Sequence, residues 1–345
     1  MRRFRIWAGL AVACVGLAFA GGCAEKEPAP VAPTVELKEV AAPAGPAFSE
    51  PFRLTNPRKL GSGADHQVDA IAVSPDSSML AISVTRSNVP PSSEVHVWLI
   101  EPGEMHQSIE FEDERVSSVA FSPDSKTLAV GISRRRGDSP VKFYDAETGR
   151  KKGTIEQGGS QAIAYSADGA TVATSDGIWN TKSLQRKGEL GFAVSQVLAI
   201  NEGRWATDGK VILSFADGAK VGEITDGRTA WGLSYQESLK VLASCDPDQG
   251  DVVFYDALER TRLNVDAGKL SQIGRVWGAE FVPNSNYLVT LNQDQKLHVW
   301  RYPSLEQVSE VDCPTRSIYF RVTPDARYVI AALDASDIRI WESEK

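Results

Sequence analysis

The sequence predicts an all-β protein built from seven similar repeats, preceded by an export signal and a tether. Three observations support this prediction. A nine-residue pattern with a polar turn recurs along the chain, and an aromatic residue closes most copies at a spacing of 41 to 46 residues. The first 23 residues are basic, then apolar, then small, which is the order found in secretory signals.

The repeated pattern begins at about residue 66. Residues 68–76 read VDAIAVSPD, and residues 116–124 read VSSVAFSPD. Related segments occur at 160–168, 230–238, 276–284 and 318–325. An apolar run precedes and follows each turn of Pro, Asp, Asn or Ser, and this arrangement predicts a β-hairpin.

A third strand closes each unit with an aromatic residue. These strands are EVHVW at 94–98, PVKFYD at 140–145, DVVFYD at 251–256, KLHVW at 296–300 and DIRIW at 337–341. The 111 residues between Tyr144 and Tyr255 leave room for two more units. Trp179 closes one of them, and residues 197–200 and 210–215 are the best candidates for the first and third strands of the other. The total is seven units.

The SPD turn and the closing aromatic residue resemble the WD40 family. Repeats of that family are about 40 to 45 residues long, and each forms one four-stranded blade of a β-propeller. The resemblance implies a seven-bladed propeller over residues 51–345. Asp138 and Asp294 stand six residues before the closing aromatic, as in the family, but the Gly-His pair that opens family repeats is missing. The Asp-His-Ser-Trp networks of the family are therefore expected to be mostly absent.

Closure of the ring gives a separate expectation. Only four residues follow Trp341, which is too few for an outer fourth strand in the last blade. An unpaired edge strand exposes backbone N–H and C=O groups and favours aggregation. We therefore expect residues 52–60 to form the outermost strand of the blade that contains Trp341.

The N-terminus predicts a lipid anchor. Residues 1–22 have the features of a signal peptide, and the apolar run from Ile6 to Ala20 is shorter than the roughly 20 residues of a transmembrane span. The sequence Ala20-Gly21-Gly22-Cys23 resembles the lipobox of bacterial lipoproteins, which implies diacylglycerol on Cys23 and cleavage before it. Ala24 follows, and the absence of aspartate there favours the outer membrane.

Residues 23–50 are predicted to be a disordered linker. Five prolines lie between residues 28 and 46 among alanines and small or charged residues. Proline at that density prevents helix formation and sheet pairing. The predicted domains are therefore a signal peptide at 1–22, a lipid-anchored linker at 23–50 and the propeller at 51–345.

The charge and motif content limit the possible functions. The net charge is −8 and becomes −11 without residues 1–22, with 34 basic against 45 acidic side chains, which disfavours nucleic-acid binding. Only Cys245 and Cys313 lie in the body, on different blades, so we expect no disulfide between them. No G-x-S-x-G, H-E-x-x-H or glycine-rich phosphate loop is present, so no catalytic, cofactor or metal site is predicted.

Two polar groups have structural interpretations. His96 and His298 occupy the same position in the third strands of two blades, which favours a repeated structural role over one active site. The loop DPDQGD at 246–251 contains three aspartates, but Pro247, Gly250 and Ala257 break the calcium-loop pattern. A tight polar hairpin is therefore preferred to a calcium site.

Two sets of residues are candidates for partner binding. Trp231 and Trp277 hold the same position near the start of the first strand in blades 5 and 6, where they form either a hot spot at the channel mouth or, as we prefer, inter-blade packing. Arg134, Arg135 and Arg136 form a basic run between strands two and three of blade 2. This run is either a solvated loop or a docking site for an acidic partner.

These observations favour a non-enzymatic protein-interaction scaffold of the bacterial cell envelope, displayed on a lipid anchor, with unidentified protein partners. Two alternatives remain open. The first is a propeller enzyme, such as a hydrolase or a quinone-dependent dehydrogenase, with its site in the channel. The second is an accessory lipoprotein of outer-membrane assembly.

Overall fold

The computed structural model describes residues 58–60, 67–86, 92–134, 139–189, 196–227, 232–246, 248–314, 319–334 and 337–343. The predicted signal peptide, the lipidation site at Cys23 and the linker lie outside these residues. In the part of the chain that is described, no helix is long and apolar enough to cross a membrane.

The described residues form seven four-stranded antiparallel sheets. The first strand of the chain is β1 (Arg58–Leu60). Blade 1 contains β2 (Gln67–Val73), β3 (Met79–Arg86), β4 (Ser92–Leu99) and β5 (Glu104–Phe111). Blade 2 contains β6 (Arg115–Phe121), β7 (Thr127–Ser133), β8 (Val141–Asp145) and β9 (Lys151–Ile155). Blade 3 contains β10 (Ile163–Tyr165), β11 (Thr171–Thr174), β12 (Gly177–Asn180) and β13 (Arg186–Glu189).

The second half of the ring has the same organisation. Blade 4 contains β14 (Leu198–Ile200), β15 (Trp205–Thr207), β16 (Val211–Ser214) and β17 (Lys220–Glu223). Blade 5 contains β18 (Gly232–Gln236), β19 (Val241–Asp246), β20 (Asp251–Asp256) and β21 (Thr261–Arg262), followed by the short helix α1 (Gly268–Ser271). Blade 6 contains β22 (Val276–Phe281), β23 (Tyr287–Asn292), β24 (Lys296–Arg301) and β25 (Glu306–Asp312). Blade 7 contains β26 (Phe320–Val322), β27 (Tyr328–Asp334) and β28 (Asp337–Glu342).

The strand order confirms the predicted seven-bladed, all-β propeller. In blades 1 to 6 the strands pair in sequence order, as repeated hairpins require. The candidate segments at 197–200 and 210–215 coincide with β14 and β16, so the first and third strands of blade 4 are confirmed. Its second strand, β15, was not identified from the sequence.

The predicted closure is also confirmed. Strand β1 pairs antiparallel with β28, and the sheet order in blade 7 is β1-β28-β27-β26. Arg58 is opposite Ile340, and Leu60 is opposite Ile338. The rest of the predicted closing segment, residues 52–57, lies outside the described residues. The pairing gives the β28 edge the backbone partners that it would otherwise lack.

The hydrophobic core lies between blades and not within them. Seven clusters of buried apolar side chains occur among the described residues, and each joins two neighbouring blades. Side chains alternate between the two faces of a strand, so one face of each blade packs against the preceding blade and the other face against the following blade. Trp341, for example, is fully buried in the cluster between blades 6 and 7. Every blade interface therefore stabilises two blades at once.

The recurring polar turn has a structural role. In blade 1 the Ser74 hydroxyl donates to Asp76 Oδ1 over 2.6 Å and accepts the backbone N–H of Met79 over 2.8 Å. Ser77, at the tip of the turn, has φ of 61°, a left-handed conformation that a small polar residue tolerates in a tight turn. The same set of bonds recurs in blades 2, 3 and 7. The motif that revealed the repeat is therefore a turn-forming device.

In blades 3 and 6 the closing tryptophan donates to a buried threonine of the second strand, which is a shorter network than the Asp-His-Ser-Trp network of the family. In blade 6, Trp300 Nε1 donates to Thr290 Oγ1 over 2.8 Å, and the Thr290 hydroxyl donates to Asn292 Oδ1 over 2.7 Å. Asn292 Nδ2 donates in turn to the carbonyl of Leu270 in α1 over 2.8 Å. The network thereby joins blade 6 to α1, which contacts β20 of blade 5.

Candidate functional site in the upper face and central channel

Antiparallel pairing defines two faces of the ring. The starts of the first and third strands and the ends of the second and fourth strands lie at one end of each blade, which we call the upper face. The turns from first to second strand and from third to fourth strand lie on the opposite, lower face. Of the candidate partner-binding residues, the two that the structure describes lie at the upper face: Arg134 follows the end of a second strand, and Trp277 is near the start of a first strand.

The described part of the basic run is held in place by an acid. Arg134 follows β7 directly, and its Nη2 lies 2.6 Å from Glu114 Oε1. Lys142 Nζ also contacts the Glu114 carboxylate. Burial acts to raise the pKa of Glu114, but the hydrogen bonds and charges of Lys142 and Arg134 outweigh it and hold that pKa below its usual value. Arg135 and Arg136 lie outside the described residues, so their docking role stays a prediction.

Trp277 serves packing and also reaches the channel. It is the second residue of β22, is half-buried, and packs against the apolar cluster between blades 6 and 7. This contact agrees with the packing interpretation. The same side chain also lines the central channel. Trp231 lies outside the described residues, directly before the first residue of β18, so the hot-spot interpretation stays a prediction.

The two third-strand histidines lie on different blades, and each has a carboxylate as its partner. His96 lies on β4 of blade 1 with Nε2 2.9 Å from Glu94 Oε2. His298 lies on β24 of blade 6, is almost fully buried, and has Nε2 2.9 Å from Asp294 Oδ2. Equivalent positions on different blades support the repeated structural role.

The aspartate-rich loop of blade 5 is a tight hairpin, as preferred from the sequence. Asp246 ends β19, and its Oδ1 accepts the backbone N–H of Asp248 over 2.9 Å. The N–H of Gly250 donates to the Asp246 carbonyl over 2.7 Å, and Gly250 has φ of 74°. Among the described residues, no group of three or more His, Cys, Asp or Glu is placed to hold a metal ion. Cys245 and Cys313 are both buried and form no disulfide.

The first strands of all seven blades line a central channel of about 640 Å³. A volume of this size is typical of small-molecule sites. Near the upper mouth, Arg115 contacts the carboxylate of Asp69, so an ion pair joins blades 1 and 2. Trp277 and Tyr319 add aromatic surface to the wall.

One ring of equivalent positions in the channel has an unusual composition. Each blade contributes the first-strand residue two places before the turn: Ala72, Ala120, Ala164, Ala199, Ser234, Glu280 and Arg321. We call these seven residues the channel layer. Strand register confirms that they are equivalent, because each is paired with the corresponding residue of its second strand. All of them except Ser234 line the channel.

Glu280 and Arg321 are the charged members of the channel layer, and they lie on neighbouring blades. Glu280 Oε2 accepts the backbone N–H of Val322 over 3.1 Å, which joins blade 6 to blade 7. Burial raises the pKa of Glu280 to about 7, even though the charge of Arg321 and this hydrogen bond act to lower it. Arg321 Nη1 donates to the carbonyl of Phe320 over 2.9 Å. Sequence reasoning missed this pair, although an alignment of the first strands shows it.

Comparison with known proteins agrees with this architecture. Residues 104–139 match the family model described as "WD domain, G-beta repeat". A chain in the crystal structure of a mitotic checkpoint complex superposes with a TM-score of 0.63 and 19% identity, over 92% of this chain and 99% of the other. The crystal structure of the RRP9 WD40 repeats gives a TM-score of 0.66 and 13% identity, over 85% and 100% of the two chains.

A third similar structure, that of U3-55K, gives a TM-score of 0.63 and 13% identity, with 83% of this chain and 98% of the other covered. No curated protein sequence matches the chain. With the seven four-stranded sheets, these similarities identify the fold as a seven-bladed β-propeller of the WD40-repeat type.

Proposed function

We propose that this protein is a non-enzymatic protein-binding scaffold, held at the bacterial cell envelope by a lipid on Cys23. The observation that carries the proposal is the form of the upper face. Seven blades place the starts of their first strands around one channel mouth, and a buried apolar cluster joins each pair of neighbouring blades among the described residues. Connections on a rigid scaffold are the usual site of recognition in proteins. Fold alone does not define function, so the case rests on the chemistry of this face.

The basic run of blade 2 supplies that chemistry. Arg134, Arg135 and Arg136 are consecutive, and they stand out in a chain with a net charge of −8. Complementary charge at an interface speeds association and selects the partner. Arg134 pairs with Glu114, and its side chain is still 39% exposed, so it remains accessible to a partner. We infer that the partner presents an acidic segment to this part of the upper face.

The similar solved structures support binding by analogy. One of them belongs to a mitotic checkpoint complex, which is an assembly of proteins. The similarity concerns the fold, and we extend it to this chain only as part of the proposal.

The location is inferred from the N-terminus. Ala20-Gly21-Gly22-Cys23 fits a lipobox, and each buried methylene of an acyl chain contributes about 0.8 kcal/mol to membrane retention. Ala24 favours the outer membrane. We place the propeller on the periplasmic side of the envelope.

Crosslinking in intact envelopes tests the proposal. The full-length protein and two triple variants are compared: Arg134, Arg135 and Arg136 to Ala on the upper face, and Lys126, Lys151 and Lys182 to Ala elsewhere. The second variant is a matched control, because its three lysines are exposed and lie in or next to lower-face turns. We expect the upper-face variant to lose a protein partner that the control retains. Recovery of no partner by the wild type, or of the same partner by both variants, would contradict the proposal.

A further inference from the structure

The channel layer leaves room for a ligand beside two charged side chains. Four of its members are alanine and one is serine, so the wall is open at that level. The charged members, Glu280 and Arg321, line this space from adjacent blades. At the equivalent position of blade 5, the Ser234 hydroxyl accepts the backbone N–H of Phe281 in blade 6. A hydroxyl is therefore enough to join two blades there, and that bond does not require the charges of Glu280 and Arg321.

The charges in the channel do not cancel at neutral pH. The described residues that line it include three charged side chains, which are Asp69, Glu280 and Arg321. Asp69 is engaged by Arg115, which lies outside the channel wall. Because burial keeps Glu280 partly protonated near pH 7, it balances only part of the charge on Arg321.

The Arg321 guanidinium is also oriented for binding. One of its five N–H groups donates to the Phe320 carbonyl, which restrains the guanidinium at the channel wall. A guanidinium matches a carboxylate with two parallel hydrogen bonds. A protonated Glu280 beside it supplies an O–H donor and no repulsion.

We propose that the central channel binds a small carboxylic acid, whose carboxylate is held by Arg321 next to Glu280. The alanines of the channel layer and the ring of Trp277 surround the apolar part of the ligand. The same chemistry is offered by a free acid and by the C-terminal carboxylate of a peptide. This site is separate from the protein-binding region proposed on the upper face, so the two proposals fail or succeed independently.

Calorimetric titration of the full-length protein with benzoate tests the site. Benzamide is the matched neutral probe. A short peptide with a free C-terminus, compared with the same peptide amidated, shows whether the C-terminal carboxylate of a peptide also binds. We expect benzoate to bind and benzamide not to bind. Loss of a charge-assisted pair in Arg321→Gln should weaken binding by about tenfold or more. Arg321→Lys keeps the positive charge but loses the two parallel N–H donors of the guanidinium, so we expect an intermediate affinity. Arg150 is exposed, and Arg150→Gln is the control that should bind benzoate as the wild type does.

The pH dependence gives a second readout. As pH rises through about 7, Glu280 ionises beside the bound carboxylate and repels it. If only the protonated form binds, the affinity of the wild type should fall about tenfold between pH 6 and pH 8. Glu280→Gln keeps an acceptor for Val322 and should remove this dependence. Absence of benzoate binding, equal binding of benzamide, or an unchanged affinity in Arg321→Gln would overturn the proposal.

Discussion

The indole network of blade 6 permits a quantitative test of how the repeat is stabilised. Thr290 is fully buried, accepts from Trp300 Nε1 and donates to Asn292 Oδ1. Thr290→Val keeps the shape of the side chain and removes both bonds. Each buried polar group left without a partner costs about 1–3 kcal/mol, and two groups lose theirs, so the free energy of unfolding should fall by about 2–6 kcal/mol.

Blade 7 offers the reverse experiment. Trp300 is opposite Leu288, and Thr290 lies two residues further along that strand. Trp341 is opposite Val329, so the equivalent position is Ala331. Among the described residues, Trp341 Nε1 is buried and has no hydrogen-bond partner. Ala331→Thr should supply one, and it should be about 1 kcal/mol more stable than its methyl-matched control, Ala331→Val.

The assay is urea denaturation followed by tryptophan fluorescence, with equal m-values required before free energies are compared. The control in blade 6 is the difference between Thr290→Val and Thr290→Ser, because serine keeps the hydroxyl. The reasoning is refuted if Thr290→Val unfolds within about 0.5 kcal/mol of the wild type, or if Ala331→Thr is no more stable than Ala331→Val.

Three further outcomes are expected. Cys23→Ala should release the protein from the membrane fraction or leave an uncleaved precursor, and normal processing with normal retention would contradict lipidation. Deleting residues 24–46 should leave the melting temperature unchanged, whereas deleting 24–60 removes β1 and should lower it sharply or cause aggregation, so equal stability of the two would show that β1 does not close the ring. Cys245 and Cys313 are buried, so a thiol reagent should modify them only after unfolding. Both should then react as thiols without prior treatment with a reductant. A disulfide-linked peptide that contains both would disprove the blade assignment.

The sequence predicted most of the fold because the turn chemistry is repeated. Ser74 and Asp76 form a local bond set that needs no tertiary information, so the same letters mark the same turn in other blades. Blade 4 was harder to predict because Ser214, and not an aromatic residue, holds the closing position of its third strand, opposite Trp205. Its tryptophan, Trp205, lies on the second strand and does not close the unit.

The channel pair could not be found by reading along the chain. Glu280 and Arg321 are 41 positions apart, and each looks like an ordinary polar residue within its own strand. They become neighbours only because consecutive blades place equivalent positions side by side around the ring. A comparison across repeats would have found them, since the other members of the layer are alanine or serine.

The position of β1 decides how an anchored ring would be attached. Strand β1 is the outermost strand of blade 7, so the chain joins the ring at its rim and not on either face. If Cys23 carries the lipid as proposed, residues 24–57 connect the bilayer to that rim, and a fully extended chain of this length reaches roughly 110 Å. An attachment at the rim leaves both ends of the channel clear of the linker. A partner on one flat side and a small acid entering from the other could then be bound at the same time.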